Sequence, residues 1–194
     1  MPYCGEEGDV DSRMLLIVGI VVVAAIVIAV VGYVYSRQRR RAHLRERFGP
    51  EYDRTVHTVG TTGRAEAVLE ERERRVQKFK IRPLTPAQAD AFSREWRRIQ
   101  AKFVDDPDDA VTEAERLVSE VMAARGYPLD EFDTRAADIS VDHPHVVENY
   151  RTARELALRR QRGEAGTEEL RQAVVNYRAL FDELLEVDDR RRAS

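Results

Sequence analysis

The chain has 194 residues, and its 32 basic and 35 acidic side chains give a formal net charge of −3. From residue 37 onward the two signs balance, so no overall basic charge favours nucleic acid, and none is predicted as a partner. The single cysteine, Cys4, excludes an internal disulfide and leaves either an intermolecular bridge or no covalent role.

An uncharged apolar run follows a short acidic head. The head covers residues 1–13, and residues 14–35 (MLLIVGIVVVAAIVIAVVGYVY) contain no charged side chain. As a helix, a run of this length spans roughly 33 Å, enough to cross the hydrocarbon core of a bilayer. Tyr33 and Tyr35 at its end are typical of the headgroup boundary. The run predicts a transmembrane helix over 14–36, with membrane lipid as the partner of residues 14–35.

A cleaved signal peptide is the alternative to a permanent anchor. Signal peptides begin with basic residues, carry an apolar stretch of about 7–15 residues and end at small residues. Here the head is acidic, the apolar run is longer, and YVYS at 33–36 is a poor cleavage site. The sequence therefore favours an anchor that stays in the mature chain.

Arginines dominate the segment that follows the span. They are Arg37, Arg39, Arg40, Arg41, Arg45 and Arg47, opposed only by Glu46. Because basic residues next to a span stay on the cytoplasmic side, we expect the body in the cytoplasm and the head outside, at the cell membrane. The same arginines can attract anionic headgroups, at about 1 kcal/mol each. They are the predicted topology and lipid-headgroup residues, and the two roles stay open.

A basic juxtamembrane region over 37–63 precedes the predicted domain. The membrane helix is expected to continue to residue 48 and to end at Gly49-Pro50, because proline disfavours a helical residue before it. A short helix over 51–59 and a loop over 60–63 follow. The loop, GTTG, lacks the Lys-Ser/Thr pair and the preceding strand of a phosphate-binding loop, so no nucleotide site is predicted there.

Apolar residues at helical spacing predict an all-α domain over 64–187, a soluble bundle of about four to five helices after the single transmembrane helix. The longer helices are expected over 64–79, 85–103, 106–125, 142–162 and 167–187. TPAQ at 85–88 is a capping box with a helix-starting proline, and Asp106 precedes a proline in the same way. One or two helical turns are expected around Phe132.

The later helix boundaries rest on single residues. Gly126 is expected to end the helix that Asp106 begins. Asp142 or His143 is expected to cap the next long helix, and Thr167 the last one. The tail over 188–194 is charged and expected to fray.

Large apolar residues on the inner helix faces predict the core. In the second long helix they recur at spacings of four, three and four residues, which places them on one face. The predicted core residues are Phe92, Trp96, Phe103, Leu117, Val121, Tyr150, Tyr177 and Phe181.

Neither acidic nor histidine clusters predict a metal site. The aspartates of DDPDD at 105–109 lack the spaced oxygen ligands and the turn glycine of a calcium loop, and a helix start explains them better. His143 and His145, two residues apart, do not share a helix face. The acidic surplus over 105–133 faces solvent, the basic juxtamembrane segment or a basic partner. No cofactor is predicted.

Three segments together resemble a known family. They are RERFGPEYDRTV, IRPLTPAQADAFSREWRRIQAKFVDDP and DHPHVVENYR. They are similar to an uncharacterised family of bacterial single-pass membrane proteins with a helical soluble domain, and the resemblance covers most of residues 44–185. It implies the same architecture, and it brings no activity, ligand or catalytic residue.

Three functions are compatible with these features. The favoured one is a non-catalytic interaction or scaffold module that binds a protein partner or itself, since no HExxH, GxSxG, paired cysteines or glycine-rich nucleotide loop is present. The second is an envelope factor that binds anionic lipid. The third is an enzyme in which His57, His143 or His145 meets a distant carboxylate in a cleft. No catalytic residue is predicted.

Overall fold

Eight α-helices form the regular structure of the computed structural model, which describes the backbone of residues 7–192 and the side chains of residues 18–185. The helices are α1 (Glu7–Phe48), α2 (Pro50–Val59), α3 (Thr62–Val76), α4 (Pro86–Lys102), α5 (Pro107–Arg125), α6 (Phe132–Asp142), α7 (Val147–Gln161) and α8 (Thr167–Arg192). No strand occurs among the described residues. The predicted fold class, a long apolar helix followed by an all-helical domain, is confirmed.

Contacts divide the chain into two units, Met1–His43 and Leu44–Ser194. The first unit holds the apolar part of α1. The second unit, which we call the body, begins twenty residues before the domain start expected at residue 64. The body begins this early because Leu44 and Phe48, one helical turn apart, are already buried, with 1% and 0% exposure.

The main core of the body lies where α4, α5, α7 and α8 pack together. Trp96 of α4 stacks on Phe181 of α8, with ring centroids 4.8 Å apart. Six of the predicted core residues are buried, namely Trp96, Leu117, Val121, Tyr150, Tyr177 and Phe181. Phe92 and Phe103 lie at the edge of this core and are partly buried. An aromatic pair of this kind contributes roughly 0.5–1.5 kcal/mol beyond its burial.

A second apolar cluster joins the end of α1 to α2, α3 and α6. Its buried members are Leu44, Phe48, Tyr52, Leu69, Val76 and Val141. Helix α6 contacts both α3 and α7. It therefore links the second cluster to the main core.

Two predicted helix caps are confirmed. The Thr85 hydroxyl accepts a hydrogen bond from the Gln88 backbone N–H at 3.3 Å, and the Gln88 side chain accepts one from the Thr85 N–H at 2.9 Å. Asp106 accepts from the Asp109 N–H at 3.0 Å. Each cap stabilises its helix start by about 1 kcal/mol.

The predicted cap at Asp142 or His143 is wrong. Helix α6 runs through Asp142, and α7 begins only at Val147, with no capping side chain at Val146. Burial explains the longer α6, because its last turns supply Ile139 to the main core and Val141 to the second cluster.

Three other boundaries differ by a few residues. Helix α3 begins at Thr62, inside the predicted loop. Thr167 is the first residue of α8 rather than its cap, and the Glu169 carboxylate accepts the Gly166 N–H at 2.9 Å instead. Helix α8 continues to Arg192, because charged residues do not by themselves stop a helix.

The close packing around Gly126 predicts that a larger residue there lowers the stability of the body. Its φ is +96°, and a Cβ placed there would lie 2.5 Å from the Lys80 carbonyl oxygen. We expect Gly126→Ala to lower the free energy of unfolding by about 2–4 kcal/mol, through left-handed strain and this clash. Denaturant unfolding of the full chain in neutral detergent measures the loss.

Gly163→Ala is the matched control for this prediction. Gly163 also has a positive φ, +75°, but nothing lies within 4 Å of the position a Cβ would take. The control is expected to lose only about 1–2 kcal/mol, the cost of the left-handed conformation alone. Equal losses in both variants would contradict a close approach of residue 80 to Gly126.

Candidate functional site

The apolar part of α1 carries no buried side chain among its described residues, which begin at Val18. From Val18 to Tyr35 every described residue is exposed, and the large aliphatic side chains are 46–72% accessible. A core helix of a soluble protein would be largely buried, and this one is 0% buried. By length and composition it can cross a membrane, although a signal sequence near the N-terminus shares both properties.

The six predicted headgroup arginines fall into two groups. Arg37, Arg39, Arg40 and Arg41 lie in the first unit. There the Arg39 guanidinium lies 4.7 Å from the centroid of the Tyr35 ring.

Arg45 and Arg47 belong to the body instead. The Arg45 guanidinium lies 5.2 Å from the Tyr52 ring centroid. Arg47 contacts Asp142 at 3.2 Å and Glu73 at 3.5 Å. Their side chains thus contact other residues of the body, and the headgroup role of all six arginines stays a prediction.

A polar cluster forms where α6 ends. Asp142 accepts hydrogen bonds from Arg47 at 3.2 Å and from the Tyr127 hydroxyl at 2.8 Å. It therefore ties the last turn of α1 and the end of α5 to α6. A cavity of about 220 Å³ lies beside it, lined by Arg47, Glu73, Val76, Gln77, Phe79, Ile81, Val141 and Asp142.

His143 is the buried histidine of this junction, with 2% exposure. Its Nδ1 lies 3.4 Å from a Glu183 carboxylate oxygen, and its buried Nε2 has no hydrogen-bond partner among the described residues. Burial lowers the pKa of His143, the Arg125 guanidinium lowers that pKa further, and Glu183 and Asp142 act in the opposite direction. The imidazole is neutral in the folded body at pH 7.

A second polar network surrounds Glu51, which is 3% exposed. Its carboxylate accepts from Arg151 at 2.7 and 2.8 Å and from Arg72 at 2.8 Å. Burial alone would raise the pKa of Glu51, but its hydrogen bonds and charge interactions with Arg151 and Arg72 outweigh burial and hold that pKa below its ordinary value. The charged carboxylate joins α2 to α3 and α7.

Sequence reasoning did not identify Glu51 or Arg151. A signal was present, because Arg72 interrupts the apolar stripe of α3. A cation at an inward position requires a buried anion. Its partner lies 21 residues away in sequence, so spacing within the helix could not name it.

The acidic stretch over 105–133 is partly neutralised within the body. Asp108 accepts two hydrogen bonds from Arg160, at 2.7 and 3.0 Å. Glu115 accepts two from Arg154, at 2.7 and 2.8 Å. A cavity of about 430 Å³ lies beside these pairs, and its carboxylates serve as a helix cap or as ion-pair partners.

The histidines are not brought to a common site. His57 and His145 are exposed, and His143 is buried. The cavity beside Asp142 and the cavity beside Asp108 and Glu115 are not lined by histidine. Among the side chains of residues 18–185, no group of three or more His, Cys, Asp or Glu residues is placed to hold a metal ion.

No family model, curated protein or solved structure matches this chain.

The buried His143 predicts that the stability of the body depends on pH. Burial depresses the pKa of His143 in the folded body below the value of about 6.5 that the same imidazole has in the unfolded chain. As pH falls, the imidazole of the unfolded chain therefore binds a proton first. Stability is therefore lost below about pH 6.5, by at most about 1.4 kcal/mol per pH unit. We expect His143→Gln to flatten this dependence when urea unfolding of the full chain in detergent is compared between pH 7.5 and 5.5.

His145→Gln is the control for the pH series, because His145 is exposed two residues further on. That variant is expected to keep the slope of the unmodified chain. If His143→Gln also kept it, the buried neutral imidazole would not be the source of the pH dependence.

Proposed function

We propose that this chain is a single-pass membrane protein whose helical body binds a protein partner, or another copy of the chain, at the cytoplasmic face of the cell membrane. Its role is that of a non-catalytic scaffold. The observation that supports this most is the contrast within the chain, between the apolar stretch Val18–Tyr35 of α1, with every residue exposed, and a body with its own core. The resemblance to single-pass bacterial membrane proteins belongs to the same proposal.

The orientation follows from charge. Six arginines after the span face one opposing glutamate, whereas the head carries four acids and Arg13. Basic residues next to a span stay in the cytoplasm. Only residues 36–43 separate the apolar run from Leu44, the first buried residue of the body.

The scaffold role is supported by how the body uses one buried and one half-buried carboxylate. Glu51 and Asp142 bind side chains from neighbouring helices rather than facing a cavity shared with a histidine. Such contacts specify one arrangement of helices. A body with a defined shape and mixed surface charge is suited to recognising a partner.

A second candidate function is binding to anionic lipid. The observation that favours it is the placement of Arg37, Arg39, Arg40 and Arg41 directly after the exposed apolar residues. Four such charges contribute roughly 4 kcal/mol to attraction by an anionic leaflet. In this function the body responds to lipid composition, and no protein partner is needed.

Crosslinking in intact cells tests the proposed function. The full chain is purified after crosslinking, and the proteins bound to it are compared with those on a control chain that ends at residue 43. We expect a partner, or a crosslinked oligomer of the chain, at least tenfold enriched on the full chain. The same set on both chains would contradict a binding role for the body, and retention that depends only on anionic lipid would favour the second function.

A further inference from the structure

A preformed apolar groove lies between α3 and α6. It encloses about 360 Å³ and is lined by residues of these two helices. Val68 is 37% exposed there, although it is a large aliphatic residue in the middle of a helix. Ala137 of α6 lies across from it. The groove therefore leaves a small apolar surface open to solvent between charged residues.

Two arginines line the groove with their aliphatic stems rather than with their charged groups. Arg72 donates to Glu51 at 2.8 Å, and Arg75 donates to Asp138 at 3.0 Å and to Asp130 at 2.5 Å. Since both guanidinium groups are held by carboxylates, the part of each side chain left to line the groove is its aliphatic stem. The walls are therefore fixed before anything binds, which lowers the entropic cost of binding.

The rim of the groove carries more carboxylates than the neighbouring arginines neutralise. Glu71 of α3 is 68% exposed, and it shares Arg74 with Glu70, at distances of 3.7 and 3.5 Å. Asp133 of α6 is exposed and has no ion-pair or hydrogen-bond partner among the described residues. The two carboxylates flank the apolar floor, one from each helix.

We propose that this groove docks a helical segment of a partner protein that presents aliphatic side chains flanked by lysine or arginine. The aliphatic side chains fill the space beside Val68 and Ala137, and the basic residues pair with Glu71 and Asp133. Insertion of an amphipathic helix into an apolar groove between two helices is a general mode of recognition. This inference rests on the proposed function, because it names the surface and the chemistry of the partner.

A synthetic peptide tests the groove directly. The probe is a fluorescein-labelled helical peptide with leucines one turn apart, each flanked by lysines. It is titrated against the full chain in phosphatidylcholine nanodiscs, and binding is followed by fluorescence anisotropy after subtraction of empty nanodiscs. We expect saturable binding that falls at least tenfold when the lysines are replaced by glutamates or the leucines by serines.

Two variants and one control locate the binding. Val68→Asp places a charge on the apolar floor and is expected to weaken binding at least tenfold. Asp133→Lys changes only an exposed charge on the rim, so it tests the groove even if the Val68→Asp chain unfolds. The Asp133→Lys chain should bind the glutamate peptide more tightly than the lysine peptide, the reverse of the unmodified chain. Val175→Asp, at a valine of α8 that is 48% exposed, should change affinity less than twofold.

Three outcomes would overturn the proposal. The first is no saturable peptide binding to the unmodified chain, and the second is unchanged peptide binding to both groove variants. The third is a Val68→Asp chain that no longer dimerises but still binds the peptide, which would make a second copy of the chain the occupant of the groove. A partner that still copurifies with the Val68→Asp chain from crosslinked cells would likewise overturn the groove, and it would leave the proposed function standing.

Discussion

The exposure of the described apolar side chains of α1, from Val18 to Tyr35, is the constraint on which the rest depends. Between Val18 and Val34, eleven large aliphatic side chains are 46–72% exposed. Burying each of them is favourable by about 1.5–3 kcal/mol, so leaving them all in water costs on the order of 20 kcal/mol. That exceeds the net stability of a typical domain. Lipid can cover this surface, and a helix satisfies its own backbone hydrogen bonds there.

The body depends on a different interaction, the pairing of buried charges across helices. The Glu51 carboxylate is enclosed by Arg72 and Arg151, whereas the pair of Asp142 with Arg47 is partly exposed. Breaking a buried pair of the Glu51 kind costs about 3–5 kcal/mol, whereas an exposed pair contributes at most about 1 kcal/mol. The pairs of Glu51 therefore hold α2 on the bundle, and exposed pairs such as Arg171 with Glu168 add little.

Local chemistry made much of this fold predictable from sequence. The Thr85 and Asp106 caps and the stop at Gly126 depend on residues within a few positions, and the apolar spacing within α4 places Trp96 on its inner face. What sequence reasoning missed depends on distant contacts. The α6–α7 junction is set by burial of Val141 in a cluster with Leu44, and Glu51 pairs with Arg151 a hundred residues away. The α3–α6 groove exists only once two separate helices pack, so spacing in one helix could not predict it.

In the proposed function, one uncleaved helix crosses the membrane and holds the body on the arginine-flanked side. The lone cysteine of the chain offers the most direct test of this topology. Cys4 lies in the head. A membrane-impermeant maleimide should label Cys4 in intact cells. In a Cys4→Ser chain that also carries Ala101→Cys, at an exposed position of α4, labelling should appear only after lysis. Labelling of the Ala101→Cys chain in intact cells, or mature protein that lacks Cys4, would contradict the account.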